Sequence, residues 1–284
     1  LIASHRKCRI CDENMKLVIK RNESDGHTWL CRKKKGIHSL CVSVRKDSFF
    51  EESRLTICTI LMMTYFWFHK LPNKFIMKEL KLSCATVVEW KGFCRELCLD
   101  ILEIESCMIG GENVVVEIEV TKLGEPKLNR QGRVKGRWVF GGIELETNRI
   151  FLQVVEDKDK DTFLNILKSF ILPGTTIISN GWQSYNCGED ELFKQYAIEN
   201  SLKFGHLDIG ERTNGSESIW YAIKRQVKGG ICNGQFNLQL AEYLWRRSHP
   251  DVDFAVFLEG VKKVYPQQDA VGEWSSSDLS EIVL

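Results

Sequence analysis

From Val114 onward the chain alternates apolar strands with a single helix, in an order that few folds accommodate. "VVVEIEV", "GRWVFGGIELE" and "RIFLQVVED" are strand-like runs, the last two joined through Thr147–Asn148 as an antiparallel pair. "DTFLNILKSFIL" then places Phe163, Ile166, Leu167 and Phe170 on one helical face. "TTIIS" returns to a strand, and "GSESIWYAIKRQV" and "NLQLAEYLWRR" read as two further helices. Three strands, a helix, a fourth strand and more helices predict a mixed α/β sheet flanked by helices.

The segments before it have another character. Residues 1–50 carry twelve Lys and Arg against five Asp and Glu, although the whole chain has a formal net charge of only +1. A basic front end on a near-neutral chain points to an anionic partner, nucleic acid first, or to a solvated basic face. "KLVIKR", a turn at Gly26 and "HTWLCR" predict a small hairpin. Residues 51–112 read as helical, with a linker at "IGGEN". "RLTICTILMMTYFWFH" is one helix, followed by a short helix, a turn at Leu82–Ser83 and a longer helix with Ser83 as its N-cap. Such a bent pair is a packing unit or a helix-turn-helix whose second helix presents Thr86, Glu89, Lys91 and Arg95. Residues 113–250 form the α/β domain, and 251–284 a C-terminal extension whose polar end, "EWSSSDLSEIVL", is expected to be disordered. The apolar run "ICTILMMTYFWF" is too short to cross a bilayer, so a membrane is not an expected partner. No targeting segment is expected either.

Eleven cysteines, an odd count scattered partly through apolar helices (Cys94, Cys98), argue for reduced thiols. Four of them carry a pattern. Cys8 and Cys11 form a two-residue-spaced knuckle before the hairpin, Cys31 follows "HTW", and either His38 or Cys41 completes a set of four. Thiolates with one imidazole are a tetrahedral zinc set, and Zn²⁺ would order about fifty polar residues that lack a core of their own. The metal-free reading makes His38 a surface histidine and Cys41 a buried thiol.

Three positions in the α/β region stand out. Glu119 lies near the end of the first strand, Asn180 at the end of the fourth and Glu217 early in a later helix, separated by 61 and 37 residues. That order fits a ribonuclease-H-like fold, in which three acids converge on two divalent ions for phosphodiester chemistry. The blocks around them, "VVVEIEV" through "SNGWQSY", then "RTNGSESIWYAIKRQV" and "YLWRR", resemble the catalytic core of the Merlin superfamily of cut-and-paste DNA transposases and their bacterial insertion-sequence relatives. The resemblance extends upstream through "WLCRKKK" and "SVRKDSFFEESRL" and covers about residues 5–250. It implies a DDE-type enzyme using Mg²⁺ or Mn²⁺ to cut and transfer DNA, acting as a homodimer, and in the nucleus if the cell has one.

Where the family has "IDE", "SDGW" and "HTN", this chain has Ile118-Glu119-Val120, Ser179-Asn180-Gly181-Trp182 and Arg212-Thr213-Asn214. Asp to Glu at 119 shifts the carboxylate by roughly 1.5 Å, one C–C bond, in a site whose ions sit about 3.5–4 Å apart. Asn180 removes a charge, and Arg212 adds a repelling one. Glu117 shares the strand face of Glu119 and reads as an exposed acid. The expectation is a degenerate triad of Glu119, Asn180 and Glu217, with Asn214 and Lys224 assisting, Glu119 and Glu217 left as magnesium ligands, and Lys224 implied to contact phosphate. Asn180-Gly181 is also simply a turn signal. The loop "KLGEPKLNRQGRVKGR" supplies Lys122, Lys127, Arg130, Arg133, Lys135 and Arg137 for a DNA backbone. The chain is therefore expected to be a transposase-derived DNA-binding protein with impaired or lost cleavage, the alternative being a non-enzymatic DNA- or protein-binding module on the same fold.

Overall fold

Close packing within each part divides this chain into two units, one comprising Leu1–Ile104 with the segment from Asp251, the other Glu105–Pro250. The computed structural model describes residues 1–33, 38–123, 127–129, 132–134, 137–180, 194–198, 213–226 and 233–266. At 127–129, 132–134, 180, 194–198, 213–218, 226 and 233–235 the description covers the backbone. Among the described residues it is a mixed α/β protein with seven helices.

In the first unit, β1 (Lys16–Ile19), β2 (His27–Arg32) and β3 (Ser39–Ser43) form an antiparallel sheet in that order. Alternation sends Trp29 and Cys31 of β2 and Leu40 of β3 to one face, where they meet Cys8, Met15 and Val44. That core is small, and a buried ion pair fastens it to the first helix of the chain. Arg45 directs Nη2 to Asp25 Oδ1 at 2.8 Å and Nε to Asp25 Oδ2, and it also donates to the carbonyls of Ser53 and Leu55. Asp25 Oδ1 in turn accepts from the backbone N–H of Ile57, 3.1 Å away, at the start of α1 (Ile57–Phe68). Every donor and acceptor of the pair is used, which is the condition under which a buried ion pair holds rather than strains a structure.

After α1 come α2 (Asn73–Leu80) and α3 (Cys84–Glu105). Lys81 closes α2 in the left-handed conformation (φ 54°), and Ser83 Oγ caps α3 by accepting from Thr86 N at 3.1 Å. Met63, Ile76 and Val87 form the core of the three helices. Of the side chains proposed for a recognition helix, Lys91 donates to the Leu71 carbonyl at 2.8 Å, fastening the preceding loop.

In the second unit a five-stranded sheet runs β12-β11-β5-β8-β9, built from β5 (Val115–Leu123), β8 (Arg137–Glu144), β9 (Ile150–Val155), β11 (Thr176–Asn180) and β12 (Lys194–Ile198). β8 pairs antiparallel with both β5 and β9, whereas β11 is parallel to both β5 and β12. β6 (Lys127–Asn129) and β7 (Gly132–Val134) make a separate hairpin between β5 and β8, and β4 (Ile109–Gly110) pairs with β10 (Ile171–Leu172). Asn148 turns β8 into β9 with a left-handed φ of 58°.

One face of the sheet is covered by α4 (Lys160–Phe170), whose Phe163 and Leu167 meet Val116, Ile118 and Phe140. Asp159 caps it, accepting from Thr162 N at 2.6 Å. The other face receives α5 (Thr213–Gln226) and α6 (Asn233–Ser248), with Ile219, Trp220, Ile223, Phe236 and Leu240 against Leu123, Val139, Ile143 and Leu152. Gly141 permits that close approach. A Cβ there would lie 2.7 Å from the Trp220 ring and 2.7 Å from the Phe151 carbonyl oxygen. Within 251–284 the chain forms one more helix, α7 (Phe254–Val264), which the sequence reading did not anticipate; the polar end at 273–284 lies outside the described residues.

Gly141→Ala forces the Trp220 ring or the β9 backbone to move, so overpacking of about 1–3 kcal/mol is expected, read as a lower denaturant midpoint. The Arg45 guanidinium holds the Asp25 carboxyl below its ordinary range, with burial opposing. The pair's stability is therefore present above the unfolded carboxylate pKa of about 3.9 and is lost as pH falls through the lower folded value. Asp25→Asn should flatten that acid limb in a pH series of unfolding midpoints.

Candidate functional site

The acid positions converge through strand register. β5 and β11 run parallel with Ile178 beside Glu117 and Ser179 beside Ile118, so the next residues along the two strands are Glu119 and Asn180. Glu119 is opposed on its other side by Gly141, which offers no side chain. Glu117, two residues earlier on the same face, is half-buried rather than exposed.

α5 completes the site. Burial of Trp220 and Ile223 against the sheet fixes its rotation, and Lys224 Nζ then reaches Glu119 Oε1 at 2.8 Å. Glu217 lies seven residues before Lys224 on α5, two turns away on the same stripe. The side chains of Asn180, Asn214 and Glu217 lie outside the described residues, as does Arg212. The sequence reading assigned Lys224 to phosphate. The structure pairs its ammonium with Glu119, a contact between residues 105 apart that no local pattern signals. Gly141 was missed too, although "FGG" inside a strand marks a close backbone approach.

At positions 119 and 180 the chain supplies one carboxylate where the resemblance implies two. One oxygen of Glu119 is engaged by an ammonium, and its strand neighbour is an amide that offers no charge. Of the basic loop, Lys122 is exposed, 5.7 Å from the centroid of the Trp138 ring, and Arg137 is half-buried. The side chains of Lys127, Arg130, Arg133 and Lys135 lie outside the described residues.

The first unit gathers a second constellation. The Sγ atoms of Cys8, Cys11 and Cys31 and a ring nitrogen of His38 all lie within 4.8 Å of one another. Cys11 Sγ is 3.6 Å from Cys31 Sγ, and His38 Nε2 is 3.4 Å from Cys8 Sγ and 3.2 Å from Cys31 Sγ. A tetrahedral ion with Zn–S about 2.3 Å and Zn–N about 2.0–2.1 Å needs S···S near 3.8 Å and S···N near 3.6 Å, so these three distances lie within a few tenths of an ångström of what zinc would need. Cys8 and Cys31 are buried, as in a closed structural site. Burial pushes the Cys31 thiol up to about 12, reinforced by the Cys8 and Cys11 sulfurs. Cys8 is also raised by burial, yet the backbone N–H groups of Ile10 and Cys11 bring it below the ordinary thiol value. Three crowded sulfurs cannot all ionise alone, and a dication reverses that. The open choice between His38 and Cys41 resolves by alternation: Leu40 pairs with Cys31 and faces the cluster, whereas Cys41 is on the other face and exposed.

The family model for the ISXO2-like transposase domain matches residues 101–247. A search of curated proteins returned no match. Among solved structures, the chain is similar to one from the cryoEM structure of simian T-cell lymphotropic virus intasome in complex with PP2A regulatory subunit B56 gamma. Identity is 10%, coverage 54% of this chain and 49% of that one, and the TM-score 0.23, too low to bear on the fold.

The purified chain should hold one zinc ion by atomic absorption. His38→Ala should weaken zinc affinity at least tenfold in a chelator competition, with Cys41→Ser leaving it unchanged; equal losses would place the fourth ligand elsewhere.

Proposed function

The chain belongs to the family of the ISXO2-like transposase domain, which matches residues 101–247, and from that premise we propose that it is a transposase-derived DNA-binding protein whose strand-cleaving site is impaired or lost. The observation that carries the reading is the pairing of Glu119 with Lys224 beside Asn180. Phosphodiester cleavage by a two-ion mechanism needs anionic ligands that hold the ions against their hydration. Here an acid position has become an amide, and the acid beside it is neutralised.

The sheet supports the ribonuclease-H-like part of this reading. Three antiparallel strands followed by two parallel strands on the far side of the first, with α4 and the α5–α6 pair on opposite faces, is the arrangement that brings a first-strand acid, a fourth-strand end and a late helix together. Ligands of such open sheets gather outside the ends of the strands, where the order reverses.

DNA is the proposed partner. The β6–β7 hairpin between β5 and β8 carries Lys127 and Arg133, Arg130 and Lys135 are close to them in sequence, and the N-terminal unit adds its own excess of cations. The zinc-ordered ribbon and the α1–α3 helices are the proposed DNA-reading parts, and the chain is proposed to act as a homodimer, in the nucleus where the cell has one.

Duplex binding should weaken steeply with salt, the slope of log K against log salt being about −0.9 per phosphate contacted. Arg130→Ala with Arg133→Ala should reduce that slope by about two contacts. The unaltered chain should leave supercoiled plasmid intact in Mg²⁺ or Mn²⁺. Glu119→Asp with Asn180→Asp should gain Mn²⁺-dependent nicking. Nicking by the unaltered chain that disappears in Glu217→Ala would overturn the claim of lost cleavage.

A further inference from the structure

Lys224 and Glu119 meet in a setting that is neither buried nor fully open. Their side chains are 45% and 29% exposed, and Nζ stands 2.8 Å from Oε1. An ion pair this open contributes about 0–1 kcal/mol, too little to seat a helix; the buried Trp220 and Ile223 do that. The role left to the pair is electrostatic. Gly141 opposes Glu119 with no side chain, and the strand neighbour Asn180 is neutral, so the cation that Glu119 meets among the described residues is Lys224.

We propose that Lys224 is a built-in counter-ion that occupies the cation position at Glu119, so that a divalent ion reaches this carboxylate only by displacing it. The ammonium is a compact point charge on a flexible four-carbon stem. With its side chain 45% exposed it can withdraw into water without disturbing the helix that carries it. A hard dication gathers carboxylate oxygens and water around itself, and an ammonium 2.8 Å from the same carboxylate repels it. Ion and lysine therefore compete for one carboxylate. The inference rests on reading the pocket as a former cation site and is independent of whether the chain binds DNA.

The test is Mn²⁺ occupancy, read from the electron paramagnetic resonance of free Mn²⁺ over the zinc-loaded full chain. Lys224→Met keeps the stem and removes the charge, and it should bind Mn²⁺ at least tenfold more tightly than the unaltered chain. Lys224→Arg should bind no more tightly, and Glu119→Gln added to Lys224→Met should abolish the gain. A second measurement needs no variant: mild reductive methylation of Lys224, followed by mass spectrometry, should speed up at saturating Mn²⁺. Equal or weaker Mn²⁺ binding by Lys224→Met, or methylation indifferent to Mn²⁺, overturns the proposal. A chain that shows the exchange yet fails to bind duplex overturns the DNA-binding reading and leaves this one standing; the opposite pair of results overturns this one alone.

Discussion

The absence of a side chain at position 141 is the constraint on which the acid site depends. With no Cβ there, the Trp220 ring lies directly over β8, and α5 comes down onto the sheet at a fixed rotation. The rotation decides which stripe of α5 looks along the sheet toward β5, and Lys224 is on it. Interiors close-packed in this way transmit position accurately, because a helix cannot slide without opening a void or driving a ring into backbone. The long-range pairing of Lys224 with Glu119 is thus a consequence of packing a few ångströms away, and the weak ion pair reports the geometry rather than creating it.

The first unit solves a different problem. A three-stranded sheet with six buried side chains removes too little apolar surface to order itself. Two polar devices supplement it. Asp25 and Arg45 tie the β1–β2 turn to the segment after β3 and to the first turn of α1. On the other side, the Cys8–Cys11 knuckle is folded against Cys31 and His38 so that four donor atoms share one small volume. The first device is complete without any ion. The second gathers groups that repel one another's ionised forms, an arrangement that a dication could hold.

The order of β5, β8, β9, α4, β11, α5 and α6 was legible because each carries its own period, alternation in "VVVEIEV" and a helical stripe at Phe163, Ile166, Leu167 and Phe170, whereas β12 was not read. The zinc knuckle was legible as spacing, but the fourth ligand was not, since His38 and Cys41 differ only in which strand face they reach, and β2–β3 register settles that. The Lys224–Glu119 contact was hidden, being fixed by Trp220 on Gly141 across the sheet. The helix at Phe254–Val264 was missed for another reason. Its apolar stripe (Phe254, Phe257, Val261) is short and sits between a His-Pro-Asp sequence and the polar end. Phe257 and Val261 are fully buried, so tertiary burial, not composition, decides that segment.

On the proposed reading, charge explains how such a site persists once its ions are not required. Three carboxylates brought together by a sheet and a helix repel one another strongly in the absence of metal, and the fold carries that cost as long as ions repay it. An amide at Asn180 removes one charge. Lys224 beside Glu119 offsets another, in a geometry that the packing already supplied. On the proposed reading, the amide lowers the repulsion stored at the strand ends, Lys224 screens what remains, and the buried contacts of Trp220, Ile223 and Gly141 are untouched. Selection acting only on stability and on DNA contacts would then favour the neutralised pocket over the acidic one, because active sites are where proteins give up stability for chemistry. The same logic makes recovery of cleavage a matter of a few side chains: the register that sets residue 119 beside residue 180 belongs to the backbone and survives their exchange.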